Sequence, residues 1–443
     1  MSVPSSTHNA GVLTRMMQSR LLRGVLSVGL LRGLSLPVTL ATAILLARLL
    51  GTEDYGRYAF AISLATLLTL PVGQGITQLL TREIAQGMLQ GRFGVHPGIM
   101  AWAWRRLWLY VVTLLGLSAA VWFLLQNGEL VWVATICLAP LVAGYQIYGG
   151  AIRGHGAPVQ SQIPEMVVRP LGVLLLVLGA WALTEVTLTN ALMLHVVATG
   201  FGLWLSWALC RWISPVEATA ATPERNDHAW NQSSLSFMMI TATNFMTIEI
   251  GILVLGLLGQ PEQVSGMRIA QSGAQIVMLS LVAVDVVTQS QIAVLVREGG
   301  GRPLWQTYVR AARLAFGAAL TLSLILIIWR EPLVRITFGE EFVTLASWPL
   351  VFLVTMGVIH AFGGASSTML NMAGQERQTL RAQSIALAIT VLGVAVLAPL
   401  FGAAGAACAI AVGMATKKAA EAVYIKKYFG VWLHALSPYG ASH

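Results

Sequence analysis

Long apolar runs alternate with short polar segments along the whole chain. Each run is close to the roughly 20 residues that an α-helix needs to cross the hydrocarbon core of a bilayer. The pattern predicts an all-α polytopic membrane protein with about twelve transmembrane helices. The runs centre on 26–49, 58–80, 107–126, 130–152, 167–184, 188–210, 234–258, 266–295, 311–329, 348–371, 381–398 and 403–424.

Two polar turns with matching sequences indicate that the runs form two sets. Residues 46–59 are LARLLGTEDYGRYA, and residues 255–270, about 210 positions further on, are LGLLGQPEQVSGMRIA. In the first turn we expect Gly51 and Gly56 to reverse the chain, with Glu53 in water. Two such turns in matching places predict two six-helix bundles related by a pseudo-twofold repeat.

The longest polar stretch lies between the two sets and marks the boundary of the halves. Three arginines precede the first run without a small-residue cleavage site, so we expect this span to be retained rather than removed as a signal peptide. The predicted divisions are a cytoplasmic N-terminal segment at 1–23, an N-terminal six-helix bundle at 24–210, a cytoplasmic linker at 211–232, a C-terminal six-helix bundle at 233–426 and a cytoplasmic tail at 427–443.

Composition supports the membrane class. The chain is 56% hydrophobic and 10% charged, whereas soluble domains carry about 25% charged residues. The runs are too long and too continuous for an outer-membrane β-barrel. Cys137, Cys210 and Cys408 lie in apolar runs without paired spacing, so neither a disulfide framework nor a metal site is expected.

The distribution of basic residues predicts the orientation, because Lys and Arg near span ends stay cytoplasmic. With the N-terminus inside, Arg32 falls within the first span, and nearly all the other basic residues fall in inside segments. The outside segments hold only Arg48, Arg57, Arg268, Arg330 and Arg335 of the 27 Lys and Arg residues. Both termini are therefore predicted to be cytoplasmic. The net charge of +9 is spread over short loops, which does not suggest a nucleic-acid partner.

Four ionisable residues are predicted to lie inside spans, where each costs at least about 2.5 to 3.5 kcal/mol. They are Arg32, Glu249, Arg268 and Asp285. Arg32 precedes Pro37, which should kink the first helix. The arginine would then either contact an anionic substrate or extend to the lipid headgroups.

The eighth span carries a polar stripe along its length. At 100° per residue its polar side chains share one arc, and that arc cannot face lipid. The stripe predicts a water-filled cavity, although hydrogen bonding between helices is the simpler alternative. Its members are Arg268, Gln271, Ser272, Gln275, Asp285 and Gln289.

Glu249 lies near the middle of the seventh span, on a different helical face from Asn244. A lone carboxylate there suits coupling to H⁺ or Na⁺, because its protonation or ion binding changes as its surroundings change from wet to dry. Asp285 is a second candidate for ion coupling. His195 and His360 stand alone in apolar runs and are expected to be packed histidines.

No nucleotide-binding loop of the GxxxxGK[ST] kind and no paired CxxC occur in the sequence. We therefore expect no cofactor. Energy would come from an ion gradient or from the gradient of the substrate.

Four segments resemble the polysaccharide-export flippases, the Wzx type that moves O-antigen or exopolysaccharide repeat units within the superfamily that also contains MATE exporters. These segments are LARLLGTEDYGRYA, IEIGILVLGLLG at 248–259, VRITFGEEF at 334–342 and APLFGAAGAACA at 398–409. The family typically has an acidic residue in the seventh span, near the place of Glu249. Many relatives carry Asp there, and many have a Pro near the end of the eighth span where this chain has DVVTQSQIA.

The resemblance implies two six-helix bundles around a cavity that opens alternately to each side of the bacterial inner membrane. Its implied substrate is an undecaprenyl-diphosphate-linked oligosaccharide for lipopolysaccharide or exopolysaccharide synthesis, with membrane lipids and other polysaccharide assembly proteins as partners. On this hypothesis Arg32 and Arg268 contact the diphosphate. The groups that would bind sugar hydroxyls are Asn244, Gln271, Gln275 and Gln289.

The residues are also compatible with two other functions. A MATE-like drug or metabolite antiporter would favour an acidic cavity for cations, whereas the stripe here mixes Arg with Asp. A membrane glycosyltransferase or polysaccharide polymerase needs a large outside loop with catalytic carboxylates. The largest outside segment is short, at about 330–347, so we expect a transporter rather than an enzyme.

Overall fold

The computed structural model describes residues 7–125, 130–297 and 301–437, and it is helical without strands over these ranges. The all-α fold class predicted from the sequence is confirmed. The α-helices in chain order are α1 (Thr7–Thr69), α2 (Gln74–Leu89), α3 (Val95–Leu125), α4 (Leu130–Gly154), α5 (Pro158–Ile163), α6 (Arg169–Leu183), α7 (Leu188–Ile213), α8 (Val216–Ala220), α9 (Asp227–Leu257), α10 (Pro261–Arg297), α11 (Arg302–Ile328), α12 (Arg330–Thr337), α13 (Val343–Gly363), α14 (Ser366–Met372) and α15 (Glu376–Phe429).

The described helices fit twelve crossings, six in each half. Two of them bend at a glycine and contain two crossings each: α1 bends at Gly51, where φ is 73°, and α15 bends at Gly402, where φ is 59°. Only glycine adopts such angles without steric cost. Over the described residues, eight helical segments are long and apolar enough to cross a membrane, and α1 and α15 are among them. The helices α3 and α10, with 31 and 37 residues, complete the set.

Each half packs mainly within itself and meets the other half along two lines. In the N-terminal half α4 packs against α2 and α7, and in the C-terminal half α13 packs against α10 and α15. Between the halves, α1 packs along α10 and α2 packs along α9. The turns at Gly51 and Gly259, with φ of 73° and 69°, follow the first crossing of each half. This correspondence agrees with the duplication that the two matching sequences predict.

The two ends of the bundle are named here by their glycine turns. The Gly51 side carries the turns at Gly51 and Gly259, and the Gly91 side carries those at Gly91 and Gly374. The prediction that Gly56 helps to form the first turn is wrong. Gly56 lies within the second helical part of α1, where a methyl group would overlap the carbonyl oxygen of Pro261. Its role is therefore to let the two halves approach closely.

The halves touch on the Gly51 side through two of the segments that carry the family resemblance. The guanidinium of Arg48 donates to the carbonyl oxygens of Thr337, at 2.7 Å, and Ile336. Tyr55 packs edge-on against Phe342 with ring centroids 6.3 Å apart, and both rings are buried. A shared hydrophobic core of α1, α12 and α13 residues surrounds these contacts and closes this side.

The halves also touch on the Gly91 side, through α2 and α9. Gly75 lies against the backbone of Ser234 and Met238, where a side chain would clash. The indole of Trp230 donates to a carboxylate oxygen of Glu83 at 3.4 Å. The two lines of contact leave space between the halves in the middle of the bundle.

Several predicted spans differ from the observed helices. The third, predicted at 107–126, begins at Val95, and the second, predicted at 58–80, is interrupted between Thr69 and Gln74. The fifth, predicted at 167–184, begins at Pro158 because α5 continues through a π-helical turn, Pro164–Val168, into α6. The tenth, predicted at 348–371, ends at Gly363 because Gly364 has a φ of 58°, which stops the helix. The described part of the C-terminal tail packs back on this break, with the Ala435 amide donating to the Phe362 carbonyl at 3.0 Å.

Candidate functional site

A central cavity of about 150 Å³ lies between the two halves. Four helices surround it: α1 on both sides of its bend, the start of α6, the middle of α7 and the first part of α10. The polar or aromatic residues that line it are Thr39, Thr42, Tyr55, Tyr58, Arg169, His195, Arg268, Ser272 and Gln275. Both halves thus contribute hydrogen-bonding groups and one arginine each.

Arg268 and Glu249 form an ion pair at the edge of this cavity. Arg268 Nη1 lies 3.4 Å from Glu249 Oε1, and the two side chains are 28% and 16% exposed. The hydroxyl of Ser63, on the second part of α1, donates to Glu249 Oε2 at 2.8 Å. The Glu249 carboxylate therefore accepts hydrogen bonds from both halves. Charge-assisted hydrogen bonds of this kind are the stronger ones, and they join α1, α9 and α10 at one point.

Gln271 positions the side chain of Arg268 and is not among the described residues that line the cavity. Its Oε1 accepts from Arg268 Nη1 at 3.2 Å, and its Nε2 donates to the carbonyl oxygen of Ile248 at 3.0 Å. Because both ends of this buried amide are occupied, Gln271 fixes the guanidinium against α9. The cavity-lining members of the stripe next to it are Ser272 and Gln275, and Gln275 is exposed.

Arg32 and Asn244 lie outside the set of described residues that line the cavity. Arg32 is exposed on α1, beyond Pro37 from the cavity. It lies seven residues before the cavity-lining Thr39, which places it on the same helical face and about 10 Å nearer the Gly91 side. Asn244 is exposed on α9.

Asp285 and Gln289 belong to α10, but their side chains lie outside the described part of the structure. Their predicted roles therefore stay predictions. The described half of the stripe, from Arg268 to Gln275, does face the interior, as the helical period predicts.

Arg169 is the functional candidate that sequence reasoning missed. The orientation prediction counts it with the basic residues of the inside segments, at the start of the span predicted at 167–184; because that span begins at Pro158, Arg169 lies well inside it. The π-helical turn Pro164–Val168 immediately precedes it. Such turns are rare and occur frequently at functional sites. The guanidinium also lies over the ring of Tyr145, 5.9 Å from its centroid.

His195 is buried, as predicted, and it also lines the cavity. Its Nδ1 lies 2.6 Å from the hydroxyl oxygen of Tyr58, so the two side chains form one hydrogen bond between α7 and α1. The sequence signal was Tyr58 itself, a polar ring in the motif LARLLGTEDYGRYA. His360 is partly buried on α13, away from the cavity-lining set.

The arrangement suits an anion that is also rich in hydroxyl groups. Two arginines from opposite halves face the cavity, and Glu249, which pairs with Arg268, is not among the described residues that line it. Around them lie hydroxyl, amide and imidazole groups that donate and accept hydrogen bonds. Among the described residues, no cluster of three or more His, Cys, Asp or Glu side chains has the geometry of a metal site.

Residues 21–288 match the model of a family described as polysaccharide biosynthesis protein. No curated protein matches the chain by sequence.

Three solved structures with similar folds are described as transporters or as a flippase. A multidrug resistance MATE family transporter of the MOP superfamily, in an inward-facing conformation, has a TM-score of 0.71 at 14% identity, covering 91% of this chain and 98% of that one. The lipid II flippase MurJ, in an inward closed conformation, has a TM-score of 0.67 at 11% identity, covering 90% and 87%. A MOP superfamily transporter from Pyrococcus furiosus, described as having a binding pocket of reverse polarity, has a TM-score of 0.63 at 15% identity, covering 93% and 96%.

Proposed function

We propose that this chain, which belongs to the polysaccharide biosynthesis protein family, is a flippase for a lipid-linked oligosaccharide. It moves the sugar head of an undecaprenyl-diphosphate-linked repeat unit across the bacterial inner membrane, for O-antigen or exopolysaccharide synthesis. The observation that carries the proposal is the central cavity between the halves, which Arg169 and Arg268 line from opposite sides. A lipid II flippase with the same fold supports it by analogy.

The substrate head cannot cross hydrocarbon unaided, because charges and unpaired hydroxyl groups are costly to transfer from water. A transporter must replace the lost hydration at every stage. Arg169 and Arg268 supply charged donors to the diphosphate oxygens. Gln275, Ser272 and Thr39 supply hydrogen bonds to sugar hydroxyls, while the polyprenyl chain stays in lipid between the halves.

Arg32 extends this proposal towards the Gly91 side. Its position on the cavity face of α1, about 10 Å from Thr39, suits a first contact for the incoming diphosphate. Because the predicted orientation makes the Gly91 side cytoplasmic, the head would pass from Arg32 to the central arginines. Asn244 and Gln289 keep their predicted roles as contacts for sugar hydroxyls, and Gln271 acts through Arg268.

Movement of the halves would expose the cavity to each side in turn. In the structure they touch through α1 and α12 on the Gly51 side and through α2 and α9 on the Gly91 side. Breaking one set of contacts while keeping the other opens the cavity to one side only. Alternating access of this kind requires that neither set be too stable to break.

Glu249 gives the proposal a route to ion coupling. Its carboxylate shares Arg268 with the incoming diphosphate, so substrate binding would remove its counter-charge. An uncompensated carboxylate at this depth favours uptake of H⁺ or Na⁺. Asp285 remains a second candidate for the same role. No cofactor is required.

Coupling is tested with the variant Glu249→Gln in proteoliposomes. The wild type is expected to respond to an imposed H⁺ or Na⁺ gradient, and the variant to transport at one rate with or without it. The matched control is Glu331→Gln, because Glu331 is an exposed carboxylate on α12, away from the cavity. A variant that keeps the full gradient response would contradict the coupling role.

The function is tested in cells that lack the protein. We expect complete lipid-linked repeat units to accumulate in the cytoplasmic leaflet, inaccessible to a sugar-modifying probe added from outside. Truncated units, or complete units in the outer leaflet that are not polymerised, would instead favour an enzyme. Normal lipids with altered drug sensitivity would favour a MATE-like antiporter.

A further inference from the structure

A second cavity of about 540 Å³ lies on the Gly51 side, at the junction of the halves. We call it the outer vestibule. Its size lies within the range of pockets that bind small ligands. The residues that set its chemistry are Glu53, Arg57, Phe60, Trp132 and Glu262.

The outer vestibule and the central cavity lie on opposite faces of one helix. The second part of α1 presents Arg57 and Phe60 to the vestibule, and it presents Tyr58 and Ile62 to the central cavity. Gly56 and Pro261, which bring the halves into contact, both line the vestibule. Separation of the halves at this contact would therefore join the two spaces. The vestibule is the next compartment on the path towards the Gly51 side.

The two spaces differ in charge. Glu53 and Glu262 line the vestibule against one arginine, Arg57, whose guanidinium is paired with Glu53 at 2.5 Å. Among the described residues that line the central cavity, the charged ones are Arg169 and Arg268. A negatively charged diphosphate is attracted by the arginines of the central cavity, whereas the carboxylates of the vestibule repel it because like charges repel.

The groups in the vestibule are those that recognise sugars. Carboxylate oxygens accept hydrogen bonds from hydroxyl groups, and such charge-assisted bonds are strong. Trp132 is 46% exposed, which leaves part of its indole open to the vestibule and to the apolar face of a pyranose ring. Phe60 adds a second aromatic side chain.

We infer that the outer vestibule is a saccharide subsite that binds the sugar portion of the substrate and rejects its diphosphate. The inference rests on the proposed flippase function and adds a direction to it. Sugars that enter the vestibule are held by Trp132 and Glu262, while the carboxylates keep the diphosphate from binding tightly there. The substrate is thereby bound by its sugars as it leaves, and the site does not retain the charged lipid head.

The test uses the full chain in lipid nanodiscs and two probes that separate the parts of the substrate. One probe is the oligosaccharide released by mild acid from lipid-linked intermediates, which carries no diphosphate. The other is polyprenyl diphosphate without sugar. Binding is followed by saturation-transfer NMR for the oligosaccharide and by retention on the nanodiscs for the lipid.

The variants are Trp132→Ala and Glu262→Gln, with Val133→Ala and Glu331→Gln as controls. Val133 neighbours Trp132 in the chain but is not among the vestibule residues, and Glu331 is an exposed carboxylate on α12. We expect each vestibule variant to bind the free oligosaccharide about tenfold more weakly, which corresponds to about 1.4 kcal/mol. The controls, and the double variant Arg169→Gln and Arg268→Gln, should bind it normally. Only that double variant should lose its binding of polyprenyl diphosphate.

The results of these assays can overturn the inference in several ways. Absence of oligosaccharide binding to the wild type, or equal binding by Trp132→Ala, Glu262→Gln and their controls, would overturn the inference. So would a vestibule that binds the lipophilic cation tetraphenylphosphonium and not the oligosaccharide. A parallel assay of lipid-linked oligosaccharide transport separates the two claims. Transport by the wild type without a vestibule effect removes this inference alone, and no transport by the wild type removes the proposed function.

Discussion

The guanidinium of Arg48 donates a hydrogen bond to the carbonyl oxygen of Thr337 at 2.7 Å, and so ties the first crossing of one half to α12 of the other. A cation at the C-terminal end of a helix is favoured by the unpaired carbonyl groups there. We predict that Arg48→Gln weakens closure of the Gly51 side. A cysteine introduced by Ser272→Cys, in a chain without its native cysteines, should then react several-fold faster with an impermeant thiol reagent applied from that side.

The matched control is Arg335→Gln. Arg335 pairs with Glu340, 3.0 Å away, but both residues belong to the C-terminal half. Removing this exposed pair should leave the reaction rate unchanged. Equal rates for Arg48→Gln and Arg335→Gln would show that the contact between Arg48 and Thr337 does not hold the side closed.

A methyl group at Gly56 should separate the halves. The substitution Gly56→Ala places its Cβ against the carbonyl oxygen of Pro261, which belongs to the other half and cannot rotate away. Overpacking of this kind costs about 1 to 3 kcal/mol. We expect a lower midpoint in thermal denaturation and a loss of transport. Gly179→Ala, on α6 with open space around it, should change neither; a normal Gly56→Ala protein would contradict the close packing.

The sequence predicted the repeat and the inward orientation of the first part of α10, because those features depend on local pattern. Gly51 and Gly259 do form equivalent turns, and the period of α10 does turn Arg268 and Gln275 inward. The twelve crossings likewise follow from the length and apolarity of each run.

The features that were not predicted from the sequence depend on contacts between distant segments. The predicted fifth span starts only two residues before Arg169, because the π-helical turn and the short helix α5 that lengthen this crossing were not predicted. Gly56 was assigned to a turn because nothing local indicates that Pro261 lies against it. Lys418, one of the basic residues that the orientation prediction counts in the inside segments, is buried and paired with Glu421.

That buried pair supports a stability prediction. Lys418 Nζ lies 3.3 Å from Glu421 Oε2, the two side chains are 6% and 0% exposed, and the ammonium also donates to the Gly364 carbonyl at 3.0 Å. The carboxylate accepts further bonds from Ser366 and Ser367. Glu421→Gln leaves the ammonium without its counter-charge, which costs about 3 to 5 kcal/mol for a buried pair.

The measurement is thermal unfolding of the purified variant in detergent. Glu421→Gln should unfold at a clearly lower temperature than the wild type. Glu53→Gln, which removes an exposed partner of Arg57, is the control and should cost at most about 1 kcal/mol. Similar midpoints for the two variants would contradict a structural role for the buried pair.

A pair of histidines on the Gly91 side predicts loss of stability in acid. His155 Nε2 lies 3.1 Å from His96 Nδ1. His96 lies at the start of α3 and His155 in the turn after α4, and both lie outside the predicted spans. Burial, together with the charge of His155, lowers the pKa of His96 to about 4. The folded state therefore resists protonation that the unfolded state accepts near pH 6.5, and stability falls as the pH drops from about 6.5 to about 4. His96→Gln should flatten this part of the stability profile, and an unchanged profile would contradict the assignment.

The most direct test of the central claim is the rate at which reconstituted protein moves a polyprenyl-diphosphate-linked oligosaccharide, compared between the wild type and Arg169→Gln with Arg268→Gln. If the diphosphate binds between these arginines, each substitution should slow transport about tenfold and the pair about a hundredfold. Arg211→Gln, at the exposed end of α7, should keep the wild-type rate. A double variant that transports at the wild-type rate would contradict the account, because the substrate would then cross without the two charges that the cavity presents.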